Sequence, residues 1–184
     1  MATFHNNTGK TAIYTETSIG TWNDGRNLNG KLCGEFNWSG LRALQNYCSG
    51  FIAWNLILDY NGRPTTLSNS SVYGNIEINP SDYSLASVRY NRDYYIVCQL
   101  SAVIRPGAVR CDYMDNGVPR DDWDLNYVAL KNPDGTIAFV ISNKTSTSRH
   151  INLASDGEYV NVSIPAKSVV SVLLGDTEQG SLAF

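Results

Sequence analysis

Apolar and polar positions follow two different rhythms along the chain, and the change falls near residue 106. Ahead of it, strand-like and helix-like stretches alternate. "TAIYTET" (11–17) reads as a short strand. "NWSGLRALQNYCSG" (37–50) reads as a helix, with Asn37 placed to cap its start and Gly50 to close it. "FIAWNLILD" (51–59) is a nearly unbroken apolar run of strand length, as expected for a strand covered on both faces. A loop rich in Gly, Pro, Ser and Asn spans 59–82. "NRDYYIVCQLSAVIRPG" (91–107) predicts a second helix, capped by Asn91 and stopped by Pro106-Gly107, with Tyr94, Val97, Cys98 and Ser101 on one face. Strand, helix, strand, helix is the grammar of a parallel sheet.

Beyond Pro106 the pattern becomes all-β. "AVRCDYM", "LNYVALKN", "TIAFVISN", "SRHINLA", "EYVNVSIP" and "SVVSVLLG" are short strand candidates. Turn chemistry such as Asn132-Pro133-Asp134-Gly135 and Ser155-Asp156-Gly157 separates them. Six such strands suggest a small antiparallel sandwich. The expected organisation is therefore an α/β segment over 1–105, a β-sandwich over 106–175 and a flexible tail over 176–184.

Composition narrows the function. The chain has 184 residues, 42% hydrophobic and 17% charged, as in a folded globular protein. A net charge of −3 without a Lys/Arg cluster disfavours a nucleic-acid or anionic-membrane partner. No apolar run approaches the roughly 20 residues of a membrane-spanning helix. "MATFHNNTGK" lacks the charged-then-apolar order of a signal peptide. Cys33, Cys48, Cys98 and Cys111 are scattered without a CxxC pair, which favours buried thiols over a zinc site and leaves their disulfide status open. With only His5 and His150, a His-rich metal centre is excluded, and no metal or cofactor is expected. Five Asn-x-Ser/Thr sequons (Asn6, Asn37, Asn69, Asn143, Asn161) are of a number that chance supplies in so Asn-, Ser- and Thr-rich a chain.

Two features of the first half stand out. Two parallel strands and two helices cannot shield a run as apolar as "FIAWNLIL", so residues 1–105 read like the last quarter of a larger α/β structure. Within "IYTET", Glu16 interrupts a strand, where glutamate is depleted. In a (β/α)8 barrel, catalytic groups sit at the C-terminal ends of strands. Glu16 lies at such an end, with "AWN" on the next strand, and carboxylates flanked by Trp suit sugar sites.

"IYTETSIGTWNDGRNL", "FIAWNLILD", "GNIEINPSDY", "YNRDYYIVCQLSAVIRPGAVR" and "VALKNPDGTIAFVISN" together resemble glycoside hydrolase family 30, the family of glucosylceramidases and endo-β-1,6-glucanases. The resemblance spans residues 2–175 in the family's order. It implies the last two βα units of a (β/α)8 barrel followed by an antiparallel β-sandwich, in secreted or periplasmic enzymes that act on β-linked glucosides or glucans and retain anomeric configuration. The family's nucleophile, the Glu of a "TE" motif, matches Glu16. The Trp of its "WN" motif, which lines the subsite of the cleaved sugar, matches Trp54, with Asn55 beside it. Trp22, in the loop after the nucleophile, is a further candidate for the cleft.

Two departures matter. The family's acid/base Glu lies in an Asn-Glu-Pro motif, and that tripeptide does not occur here. Glu35, Glu77, Asp59 and Asp121-Asp122 are the acidic residues available to replace it. Similar relatives also carry a Gly-Cys-x-x-Cys segment after the Asp59 position, where "SNSSVYGN" stands instead. The expectation is thus a C-terminal part of a retaining β-glycosidase that is inactive alone. Its open barrel edge invites self-association or a complementing chain. The alternative is a non-catalytic carbohydrate-binding module on the sandwich, with Tyr113, Trp123 and Tyr127 as stacking aromatics.

Overall fold

The computed structural model describes residues 1–66, 71–111, 124–155 and 157–175. Two compact units divide the chain, Met1–Gln99 and Leu100–Phe184.

The first unit opens with a short helix, α1 (Ala2–Thr8), whose His5 ring stacks on Tyr47 at 3.8 Å. β1 (Ala12–Gly20) follows, then a 3₁₀ turn at Thr21–Asn23. A helical crossover consists of α2 (Leu28–Glu35), a π-helical turn (Phe36–Leu41) and α3 (Arg42–Gln45), and leads into β2 (Cys48–Trp54). β1 and β2 are parallel, so this is a βαβ unit, and the alternation read from the sequence is present.

The crossover covers one face of the strand pair. Phe36 and Leu41 are fully buried in it, and Thr17 of β1 points the same way, its hydroxyl 3.4 Å from that of Ser39. The opposite face is bare. Ile13 pairs in register with Gly50, and Ile52 and Trp54 continue that face at alternate positions of β2. Their exposures are 58%, 55% and 49%. The apolar run expected to be buried on both sides is therefore covered on one.

Two local expectations are corrected. Asn37 caps nothing, because the crossover starts upstream of it and buries it completely mid-helix; the helix ends at Gln45, and Tyr47 turns the chain with φ 63°. The run 51–59 is not one strand: β2 stops at Trp54, the Trp54–Asn55 peptide is cis, and β3 (Ile57–Asp59) begins beyond it. β3 pairs in parallel with β5 (Ile76–Ile78), which pairs antiparallel with β6 (Arg89–Tyr90). β4 (Val72–Tyr73) crosses the end of β1, opposite Ile19 and Gly20. α4 (Arg92–Ser101) starts directly after Asn91, as expected, although the Asn91 amide donates to the Gly74 carbonyl rather than to its own helix.

The second unit holds the sandwich strands: β7 (Val109–Arg110), β8 (Leu125–Lys131), β9 (Ile137–Asn143), β10 (Arg149–Ser155), β11 (Glu158–Ile164) and β12 (Ser168–Leu174). An antiparallel sheet in the order β12-β9-β8-β7 is joined by the β10–β11 hairpin. Leu125, Ala129, Phe139 and Ile141 from the sheet and Leu153 and Ile164 from the hairpin form its core. Gly135 and Gly157 supply the left-handed backbone (φ 89° and 87°) that the two expected turns require. The tail, 176–184, lies outside the described residues.

Candidate active site

The site begins with an irregularity in β1. Tyr14 pairs with Phe51 and Thr17 with Ala53, so Thr15 and Glu16 together face the single residue Ile52. This is a β-bulge, a device that bends a strand and re-aims a side chain. It leaves the Glu16 side chain exposed while Thr17, the next residue, is buried under the crossover. Two residues further on, Ser18 is the register partner of Trp54, which puts the indole on the strand beside the carboxylate's own and on the bare face.

A cleft of about 250 Å³ opens beside β1, lined by Tyr14, Glu16, Thr17 and Ser18 of that strand and by Asn23, Glu35, Trp38 and Ser39. Of the expected site residues it contains only Glu16. Trp54 and Asn55 lie one strand over. Trp22 sits in the 3₁₀ turn, 55% exposed, with its ring laid against Gly20, where any Cβ would collide with it. Tyr14, Asn23 and Trp38 were not anticipated. The bulge shifts the faces of β1 between Tyr14 and Ser18, which strand alternation does not foretell, and the approach of Trp38 depends on where the crossover helix begins.

The end of β1 is held from several sides. The Asn23 side chain accepts from the Gly20 N–H (3.0 Å) and donates to the Ser18 carbonyl (3.0 Å). The Asn23 carbonyl in turn accepts from Arg92 Nη1 (3.0 Å), and the Arg92 N–H donates to the Gly25 carbonyl (3.1 Å). Arg92 is 1% exposed and pairs through Nε with Asp93 Oδ1 at 3.1 Å. Asp93 is equally buried, and its Oδ2 has no hydrogen-bond partner among the described residues. Burial pushes the Asp93 pKa up, Arg92 pulls it back, and the charge of Glu35 adds to the rise.

Arg26 forms a second tie. Its Nε and Nη2 grip the two oxygens of Glu77 at 2.9 and 2.7 Å, Nη2 also reaches the Tyr60 carbonyl at 3.3 Å, and the guanidinium lies 3.9 Å over the Tyr73 ring. The hydrogen bond to Glu77 raises the pKa of Arg26 against the opposing effect of burial. Glu77 is therefore engaged in an ion pair and fully buried.

The other acidic candidates divide. Asp59 Oδ1 accepts from the N–H groups of Asn61 and Arg63, a turn-forming role. Glu35 is half-buried on the cleft wall. Asp121 and Asp122 lie outside the described residues, as do Tyr113 and Trp123, while Tyr127 packs against the sandwich core. Among the described residues no disulfide joins Cys33, Cys48, Cys98 or Cys111.

Comparison with known proteins follows the same lines. Residues 107–172 match the profile of the glycosyl hydrolase family 30 beta sandwich domain. Endo-1,6-beta-D-glucanase neg1 of Aspergillus fumigatus is 28% identical over 134 residues, 71% of this chain and 26% of that protein. Endo-1,6-beta-D-glucanase BGN16.3 of Trichoderma harzianum is 26% identical over 181 residues, 95% of this chain and 34% of that protein. The solved endo-beta1,6-glucanase BT3312 superposes with a TM-score of 0.81 at 36% identity, covering 92% of this chain and 37% of its own. SrfJ from Salmonella typhimurium shares the fold at 20% identity, with a TM-score of 0.79 over 94% of this chain and 37% of its own. The fold and these matches point to a glycoside hydrolase family. Residues 107–172 belong to the glycoside hydrolase family 30 sandwich family, and the chain as a whole matches a C-terminal portion of family 30 proteins, spanning about a quarter to a third of the length of these relatives.

Proposed function

We propose that this chain is the C-terminal part of a retaining β-glycosidase of the β-1,6-glucanase and glucosylceramidase type, with Glu16 as nucleophile. On this reading residues 1–105 are the last two βα units of a (β/α)8 barrel, 106–175 its sandwich and 176–184 a tail. The observation that carries it is the bulge at Thr15–Glu16. It turns a carboxylate out of β1 four residues before that strand ends at Gly20, later than the strand end expected from the sequence, and beside the parallel strand that ends in Trp54.

In the proposed reaction a Glu16 oxygen bonds to the anomeric carbon as the bond to the leaving glycosidic oxygen breaks. A protonated carboxyl group across the linkage gives its proton to that oxygen. The same group then takes a proton from water, which attacks the anomeric carbon and frees Glu16. The two carboxyl groups of such a pair stand about 5–5.5 Å apart. The second belongs to an Asn-Glu-Pro segment that this sequence lacks. Trp54 offers an apolar face to the C–H groups of the ring, and Asn55 and Trp22 complete the wall. The names of the relatives favour a β-1,6-linked glucan as substrate, with glucosylceramide as the other candidate. A secreted or periplasmic setting accompanies the family reading.

The test uses 2,4-dinitrophenyl 2-deoxy-2-fluoro-β-glucoside, whose leaving group needs no proton and whose C2 fluorine stalls the glycosyl-enzyme. Joined to an upstream barrel bearing Asn-Glu-Pro, the chain is expected to gain one deoxyfluoroglucosyl group on Glu16, read by peptide mass. Glu16→Gln abolishes labelling and lowers hydrolysis by about 10³-fold or more. The 184 residues alone do not turn over β-1,6-glucan. A label on any other residue, or robust turnover by the chain alone, overturns the reading.

A further inference from the structure

We infer that Arg26 and Glu77 are positioning residues that fix the segment carrying Trp22 relative to the segment carrying Trp54 and Asn55. Only the naming of these segments as walls of a sugar subsite rests on the function proposed above. The coupling between them rests on geometry within the first unit.

Arg26 lies at the far end of the loop that leaves β1, four residues beyond Trp22. Glu77 lies in the middle of β5, in register with Leu58 of β3, the strand that follows Trp54-Asn55. Backbone bonds from the Asn75 N–H to the Asn55 carbonyl (2.8 Å) and from Ile76 to Leu56 (2.9 Å) make β5 and the post-Trp54 segment one piece. On the other side, β4 pairs with Ile19 and Gly20, the Thr21 N–H donates to the Ser71 carbonyl (2.9 Å), and Tyr73 of β4 carries the guanidinium on its ring. Arg26 thus bridges the loop after β1, the loop after β3, β4 and β5 from a single planar group.

Its two-pronged bond to Glu77 sets direction as well as distance, which a lysine ammonium cannot do. The Glu77 carboxylate is wholly buried, so losing the guanidinium leaves a charge that must find water. The loop then has to open. An ion pair spanning 51 residues of sequence and gripping a buried carboxylate with both prongs is more than an exposed surface contact, which by itself contributes little.

The test uses the 184-residue chain joined to the same upstream barrel, which covers the bare face, with ¹⁵N NMR of the indole N–H signals and hydrogen exchange of backbone amides. In Arg26→Met, the Trp22 and Trp54 indole signals are both expected to move, and the amides of Thr21, Asn75 and Ile76 to exchange about tenfold faster or more. Amides of β8 and β9 keep their rates. Arg26→Lys gives the same displacement to a smaller extent. The double variant R26M/E77M, which removes the stranded charge, recovers the unfolding midpoint while the two indole signals stay displaced. The inference is overturned if Trp22 and Trp54 keep their positions in Arg26→Met. It is equally overturned if their signals return in the double variant together with the midpoint, which would make the pair a stabilising contact only. Failure of deoxyfluoroglucosyl labelling at Glu16, with indole coupling intact, would count against the proposed function and not against this inference.

Discussion

Glu16 stays in the open because one residue too many has been fitted into β1 opposite Ile52. The residue after it is anchored under the crossover, and the residue two beyond has its carbonyl held by Asn23. Its freedom is therefore that of a side chain on a fixed backbone. Asp93 shows the opposite case, a carboxyl group buried beside Arg92. Because burial raises its pKa, the folded chain binds a proton there more tightly than the unfolded chain, whose value is about 3.9. The stability this group contributes is fully present below that unfolded value and is lost as pH rises through the raised folded one. Asp93→Asn removes the titration. Urea unfolding of both forms from acid to neutral pH is thus expected to show the unsubstituted chain losing stability relative to Asp93→Asn as pH rises, by about 1.4 kcal/mol for each unit by which the pKa is raised. A constant difference would mean that Asp93 titrates normally.

At the scale of elements, what could be read in advance depended on how local the signal was. β8 to β12 were legible because alternation and turn residues lie within a few positions of each other, and Glu16 was legible because it broke such an alternation. The crossover helix was misplaced because its first turns, "LNGKLCGE", carry two glycines and little amphipathic contrast, while the stronger pattern starts at Asn37. The break after Trp54 left no mark in an unbroken apolar run. Arg26–Glu77, Asn91–Gly74 and Arg92–Asn23 join residues far apart in the chain, which periodicity does not reveal.

The glycines test this picture. At Gly74 a Cβ would run into the carbonyl of Ile76 and come within 2.6 Å of the Leu58 nitrogen, both backbone atoms that cannot swing aside. Gly74→Ala is expected to destabilise by roughly 1–3 kcal/mol, in the range of local strain. At Gly34, inside α2, a Cβ meets nothing within 4 Å. Gly34→Ala should stabilise by about 0.5–1 kcal/mol through helix propensity. Thermal or urea unfolding of the two variants is expected to give opposite signs, and destabilisation by Gly34→Ala would mean that the helix is packed more closely than described.

For the molecule as a whole, the first unit poses an unsolved burial problem. A parallel strand pair is stable when both faces are covered, and here the crossover covers one. On the other, Ile13, Ile52 and Trp54 are each about half exposed, with Leu56 (68%) and Ile57 (48%) just beyond. Among the described residues β2 pairs only with β1, and β1 is otherwise met only at Ile19 and Gly20, so the backbone edges of both strands are open to another strand. Exposed apolar surface and unpaired edges act together, since a strand that docks on either edge also brings side chains over the bare face. The 184-residue chain in isolation is therefore expected to self-associate, with an apparent mass in light scattering that rises with concentration. Charges placed on the bare face, in I13K/I52K, should return it toward the mass of one chain while leaving the β8–β12 signals of the second unit unchanged. A monodisperse monomer without those substitutions would show that the first unit covers the face by itself, and the reading of residues 1–105 as part of a larger barrel would lose its physical basis.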